Sequence, residues 1–238
     1  CPKASVAIFC AGIIEIKKCH NDPLISRLIN VVGTYNLIKR LVEQDTFVIF
    51  LSTNAVFNGC FPLVPVDAEY SPITEYGRQK AEVESRILGF GELISIVRMS
   101  KILSNNSSFI KYWTECLKKG EAVHPFSNVF MSPIPLTLVV SAIRIISDLR
   151  LSGIVQLSGR SDISYAEAIH IGSKVLGVKD SIIQPKKETN LYCFDGQLPV
   201  HSTMDIERLK NTTGISPPEV EWTIENSFYQ KTTPNLIF

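Results

Sequence analysis

The chain has no excess of either charge: its 238 residues carry 24 Lys plus Arg against 23 Asp plus Glu, for a formal net charge of +1. That balance leaves no basic stripe for a nucleic acid and no acidic tail, and directs attention to a small-molecule ligand. No apolar run reaches the roughly 18 residues that a membrane span needs, and the first residues lack the basic flank and long apolar core of a signal peptide. The six cysteines, Cys1, Cys10, Cys19, Cys60, Cys116 and Cys193, form no C-x-x-C pair. Together with the wide spacing of His20, His124, His170 and His201, this argues against a zinc site or any other metal and against a disulfide scaffold, and points to a reducing, cytoplasmic home. There is no Gly-x-Ser-x-Gly and no Walker-type loop, which removes support for a serine hydrolase or a P-loop ATPase. Internal repeats and low-complexity segments are also absent.

What is present alternates. Val6–Cys10 reads as a short buried strand ended by Ala11-Gly12. Asp22 before Pro23 has the chemistry of a helix cap, and Leu24, Leu28, Val31, Leu37, Ile38 and Leu41 give the segment a broad apolar face. Phe47–Leu51 is the next strand, 58–74 a Pro- and Gly-containing loop, 75–88 a helix and 93–97 a strand. Beyond Ser100, helical patterns cover 109–119, 136–149, 165–176, 205–211 and 220–228, with a strand over 153–157 and two short extended pieces after Gly177. Strands alternating with helices imply β-α-β units, hence an α/β fold with a mainly parallel sheet.

The chemistry concentrates between Leu51 and Lys80. Thr53 follows the apolar run Phe47–Leu51 after one serine, Ser52, at the carboxyl end of a strand where open α/β sheets place their ligands. Tyr76 and Lys80, four residues apart, share one helix face. The segments LSTNAVFNG, SPITEYGRQKAEVE, FCAGIIEIKKCHNDP, ISIVRMS, GIVQLSG and STMDIERLKNTTGI together resemble the extended short-chain dehydrogenases/reductases, and within them the dTDP-4-dehydrorhamnose reductase-like branch of sugar-nucleotide enzymes, from Ser5 to about Phe228.

The resemblance implies a Rossmann-type domain with a small C-terminal α+β substrate lobe, residues 1–100 being the partial NAD(P)-binding and catalytic region and 101–238 the substrate lobe interleaved with the remaining Rossmann elements. It implies an oxidoreductase or epimerase acting on a nucleotide-linked sugar with NAD or NADP, in which Thr53, Tyr76 and Lys80 are catalytic. A free phenol has a pKa near 10, and the Lys80 ammonium is expected to lower that of Tyr76 so that it exchanges a proton with a carbonyl oxygen held by Thr53. Register with the family's signature selects Thr53 over Ser52 as the catalytic hydroxyl. The cofactor would meet Cys10, Ala11, Gly12, Ser52, Tyr76, Lys80, Arg98 and Ser100, and the substrate Thr53, Asn54, Ser132 and Pro133. Asn30 would steady the neighbouring strand ends. Two subunits of such proteins often pair through the helices at about 23–42 and 75–88, so a homodimer is expected.

The sequence departs from the family in informative places. No Gly-x-x-Gly-x-x-Gly turn is present, and the chain opens on Cys1 where the family's fourth strand would begin, so the Rossmann part is expected to be N-terminally incomplete, either because further residues lie upstream or because the protein is natively truncated and does not bind cofactor in the usual way. Asn54 and Ala55 replace an aspartate and a tyrosine of the signature. His201-Ser202-Thr203 stands where Asn-Ser-Arg is usual, and Thr137-Leu138 replaces an aspartate region; these positions bear on substrate. The alternative function is a non-catalytic relative that keeps the fold as a regulatory or scaffold subunit, as the regulatory subunit of methionine adenosyltransferase does.

Overall fold

The computed structural model of the chain describes residues 4–190 and 198–229. Four strands form its central sheet: β1 (Val6–Phe9), β2 (Phe47–Thr53), β3 (Ile94–Met99) and β7 (Gly153–Leu157). They are hydrogen-bonded in the order β1-β2-β3-β7, every pair parallel. Parallel neighbours need crossovers. Between β1 and β2 these are α1 (Ile16–Asn21), α2 (Pro23–Arg27), a π-helical stretch Leu28–Gly33 and α3 (Thr34–Val42); between β2 and β3 the crossover is α4 (Glu75–Ile87). After β3 come β4 (Lys101–Leu103), α5 (Ser108–Lys119), β5 (Phe130–Met131), β6 (Pro133–Pro135) and α6 (Leu136–Leu149). After β7 follow β8 (Ile163–Ser164), α7 (Tyr165–Leu176), α8 (Glu207–Thr213) and α9 (Val220–Phe228).

Strand alternation divides the core. Val48 and Phe50 of β2 and Ile94 and Ile96 of β3 face Val31, Ile38, Val83 and Ile87 on one side of the sheet. Phe47, Ile49, Val97 and Met99 face Val139, Ala142, Ile146 and Leu209 on the other. A further core, Ile110, Trp113 and Leu117 with Ile169, Ile224 and Phe228, joins α5, α7 and α9. β4 pairs parallel with β6 and β5 antiparallel with β8, in two small sheets beyond the carboxyl end of the main one.

The capping expectation at Asp22 holds: its Oδ1 accepts from the Ile25 amide at 3.1 Å, with Pro23 at the first helical position. The broad apolar face expected after it does not pack as a unit. Val31 and Ile38 are buried, but Leu24 is 81% exposed and Leu28 and Leu37 are also open to solvent. The π-helical turn at Leu28–Gly33 changes the residues per turn, so a 3.6-residue spacing cannot keep one face toward the sheet across it. Among the thiols, Cys10, Cys19 and Cys116 are free, whereas Cys60 is disulfide-bonded, a departure from a chain read as reduced throughout. Among the described residues no helix is long and apolar enough to cross a membrane.

Candidate functional site

The carboxyl ends of β1, β2 and β3 open into a cavity of about 870 Å³ whose wall includes Cys10, Ser52, Thr53, Tyr76, Lys80 and Ser100. Local sequence explains how they meet. β2 runs out at Thr53, whose hydroxyl accepts the Ala55 amide at 3.1 Å and caps a 3-10 turn, Asn54–Val56. Thr74 caps α4 in the same way, its Oγ1 accepting the Gly77 amide at 3.0 Å. Gly77 is what lets α4 close on that turn: a Cβ there would lie 2.1 Å from the Ala55 carbonyl oxygen. Tyr76 is thereby carried to the same cavity wall as Thr53, and Lys80 follows one helical turn later.

Burial dominates the electrostatics. It pushes the Tyr76 phenol up to about 12, with Cys19 adding to the rise. Lys80 is pushed down to about 8 by burial, partly offset by Glu84 and then Cys10. Its Nζ donates to the Leu51 carbonyl at 2.7 Å and lies 4.4 Å from the centre of the Phe50 ring. The expectation of a lowered phenol pKa is therefore corrected: burial outweighs whatever the Lys80 ammonium contributes. The ammonium is engaged by a strand carbonyl and a ring face, and desolvation sets the phenol, which stays protonated at neutral pH.

Other anticipated residues divide between the wall and its supports. Asn54 lines the cavity; Ala11, Gly12, Arg98, Ser132 and Pro133 are not in its wall. Gly12, at φ +150°, belongs to the support: a Cβ would meet Asn30 Oδ1 at 3.0 Å. Asn30 accepts the Ile13 amide at 2.7 Å and donates to the Ile13 carbonyl at 2.9 Å, which fits the steadying of a strand end. Arg98 is 1% exposed and ion-paired to Glu84 at 2.8 Å; a guanidinium with a buried carboxylate partner is held in the interior rather than presented to a ligand. Ser132 is fully buried; its Oγ lies 3.0 Å from that of Ser158, and its carbonyl accepts from Ser100 Oγ at 2.5 Å. Pro133, also buried, pairs with Lys101 across β4 and β6.

The rest of the cavity lining was not anticipated. It carries Trp113, Phe126, Phe130 and Tyr165, with Lys101, His124 and His201 among them. His201 Nδ1 lies 2.9 Å from Asp162 Oδ2, and its ring stacks on Phe130 with centroids 5.3 Å apart. Trp113 and Tyr165 sit on apolar helix faces indistinguishable in sequence from core, and the Asp162–His201 pairing spans 39 residues. The only local signal was the departure at His201-Ser202-Thr203.

Residues 2–232 match the family described as RmlD substrate binding domain. Over 232 residues the chain is 25% identical to a dTDP-4-dehydrorhamnose reductase of Sinorhizobium fredii, covering 91% of this chain and 77% of that protein. Over 97 residues it is 31% identical to methionine adenosyltransferase 2 subunit beta of Xenopus tropicalis, covering 41% of this chain and only 29% of that protein. Among solved structures, the dTDP-4-dehydrorhamnose reductase of Bacillus anthracis in complex with NADP superposes with a TM-score of 0.86 at 19% identity, over 95% of this chain and 79% of that one. Its counterpart from Clostridium acetobutylicum gives 0.85 at 19% identity, over 95% and 80%. The fold is thus the Rossmann-like α/β fold of these reductases, and the chain belongs to the RmlD substrate binding domain family.

Proposed function

We propose that the protein is an NAD(P)-dependent oxidoreductase or epimerase acting on a nucleotide-linked sugar, with Tyr76 as the group that exchanges a proton with the sugar's oxygen. The observation that carries this reading is the placement of Thr53, Tyr76 and Lys80 in the wall of one cavity at the carboxyl ends of β1 to β3. The donor set fits the nicotinamide end of such a cofactor: the small side chains of Cys10 and Ser100 share the wall with a half-buried ammonium and a phenol. When bound, the nicotinamide supplies or accepts a hydride. Tyr76, held protonated by burial, is in the state needed to give its proton to a carbonyl oxygen as negative charge develops there. Thr53 is placed to donate a hydrogen bond to the same oxygen. Lys80, cationic below about pH 8, stabilises the phenolate that is left. The aromatic wall formed by Trp113, Phe126 and Phe130 offers flat apolar surface to a base or sugar face. The same reading takes the active species as a homodimer joined through the helices between β1 and β2 and through α4.

The test is turnover of dTDP- and UDP-linked 4-keto sugars with NADPH or NADH. Tyr76→Phe is expected to keep the fold and lose about a hundredfold or more of the rate; turnover equal to that of the unaltered protein would remove Tyr76 from the mechanism.

A second reading is favoured by the 31% identity over 97 residues to methionine adenosyltransferase 2 subunit beta: a regulatory subunit that keeps the pocket without turnover. Binding of a nicotinamide dinucleotide with no turnover of any substrate in that panel is the outcome it predicts.

A further inference from the structure

Beneath the cavity floor lies a carboxylate that the reaction above does not use. Glu84 is 0% exposed, on α4 one helical turn beyond Lys80. One of its oxygens accepts from the Ser52 hydroxyl; the other accepts from Tyr70 at 3.1 Å and from Arg98 Nε at 2.9 Å. Arg98 completes the set: its Nη1 donates to the Val66 carbonyl at 2.9 Å, and the guanidinium lies over the rings of Phe57 and Tyr70, 5.0 and 5.2 Å from their centres. Ser52 and Arg98 are themselves register partners across β2 and β3. One carboxylate therefore joins the helix that carries Tyr76 and Lys80 to the next-to-last residues of β2 and β3, two of the three strands that end at the cavity.

We infer that Glu84 is a positioning residue of this site: it fixes α4 against the end of β2 through Ser52, and its negative charge holds Lys80 in the cationic form. The inference rests on the reading of Lys80 as the cation of the site and deepens it. A stability role alone would be served by neutralising Arg98, and Glu84 does that. What points further is its place on α4: it is paired with Arg98 of β3, and Lys80 precedes it by one turn on the same helix face. An ammonium withdrawn from water has to be compensated or it gives up its proton more readily. The groups facing Lys80 are Tyr76 and Glu84 from α4, Cys10 from the end of β1, and the Leu51 carbonyl and Phe50 ring from β2. The cavity lining also carries Lys101 and the imidazoles of His124 and His201. Of these, Glu84 contributes the largest effect favouring the charged form, ahead of Cys10.

The experiment reads Lys80 directly and needs neither ligand nor turnover, so its failure is separate from failure of the Tyr76 test. In protein carrying 13C-labelled lysine, the Lys80 Cε resonance, assigned by its loss in Lys80→Met, is followed against pH. Glu84→Gln is expected to lower its midpoint by about one unit or more. Where leaving Arg98 unpaired prevents folding, Glu84→Gln/Arg98→Gln removes both members of the pair, and the midpoint is still expected to fall, because Glu84 rather than Arg98 acts on Lys80. An unchanged midpoint in a folded variant would reduce Glu84 to a structural partner of Arg98 and overturn the proposal, as would failure of both variants to fold.

Discussion

Asn30, in the π-helical turn that precedes α3, donates to Gln79 Oε1 on α4 at 2.8 Å across 49 residues of sequence. Both side chains are buried, and each is also engaged elsewhere. Asn30 brackets the main chain of Ile13, while Gln79 donates to Ser26 Oγ at 2.8 Å and Glu75 Oε1 at 3.0 Å. The contact thus ties the loop leaving β1, whose Ile14 lines the cavity, to the helix carrying Tyr76 and Lys80.

Replacing Asn30 by alanine should therefore cost more than one average hydrogen bond. It strips the half-buried Ile13 amide and the buried Gln79 Oε1 of their partner, and an orphaned buried group costs about 1–3 kcal/mol. Asn30→Ala is expected to lower stability by about 2–4 kcal/mol, or roughly 5–10 °C in thermal unfolding. A loss below about 1 kcal/mol in a denaturant titration would show that water or a neighbour replaces the amide.

Gly77 is expected to be intolerant for a different reason. The atom that a new Cβ would meet is backbone, the Ala55 carbonyl oxygen, so no rotamer change relieves the clash. Gly77→Ala should cost about 1–3 kcal/mol or more and, by pushing the start of α4 off the Asn54–Val56 turn, separate Tyr76 from Thr53 and depress turnover beyond what the stability loss explains. Gly89→Ala is the control, since nothing lies within 4 Å of its Cβ position. Equal effects from the two substitutions would remove close approach as the cause.

The difference between these positions and others reflects what sequence encodes locally. Tyr76, Lys80 and the helix bearing them were legible because a four-residue spacing and a preceding apolar strand fall within 34 residues, Phe47 to Lys80, and 136–149, 153–157, 165–176 and 220–228 match their elements end to end. The strands β4, β5, β6 and β8 were not, since two or three residues carry no period. Arg98 was expected at the cofactor because ISIVRMS resembles the family's segment after that strand; only the fold brings Glu84 to it. The aromatic wall was hidden for the opposite reason, because apolar residues lining a cavity and apolar residues filling a core obey the same pattern.

Stability against pH should report Lys80. Its native value of about 8 lies below the ordinary 10.5, so between those values the unfolded chain binds more protons and stability rises with pH. The burial penalty is thus fully present below about pH 8 and relieved above it. Lys80→Met should remove that rise and be the more stable protein at pH 7 by about 1–2 kcal/mol, less than the roughly 3 kcal/mol of the full shift because the side chain is half-buried. Tyr76 and Tyr70, both held near 12, act in the reverse sense above pH 10, so the comparison belongs between pH 7 and 10. Parallel stability curves for the two proteins across that range would contradict the assignment.

The last expectation concerns assembly. Leu24, Ile25, Leu28, Ile29 and Val32 are all exposed large apolar residues, brought to the surface where the helical spacing changes between α2 and the π-helical turn. At the edge of this stripe Arg27 is paired with Glu82 of α4, which also holds Arg86 at 2.5 Å, so an apolar centre is bordered by compensated charges, the arrangement that protein interfaces favour. A second copy related by a two-fold axis would meet the same stripe with its own. Light scattering at micromolar concentration is expected to give twice the chain's mass. Ile29→Asp, at a side chain already 46% exposed, should return the mass to that of one chain without changing the unfolding temperature by more than about 2 °C. A wild-type protein that is monomeric under these conditions, or a dimer indifferent to Ile29→Asp and to Val32→Asp, would place the contact elsewhere.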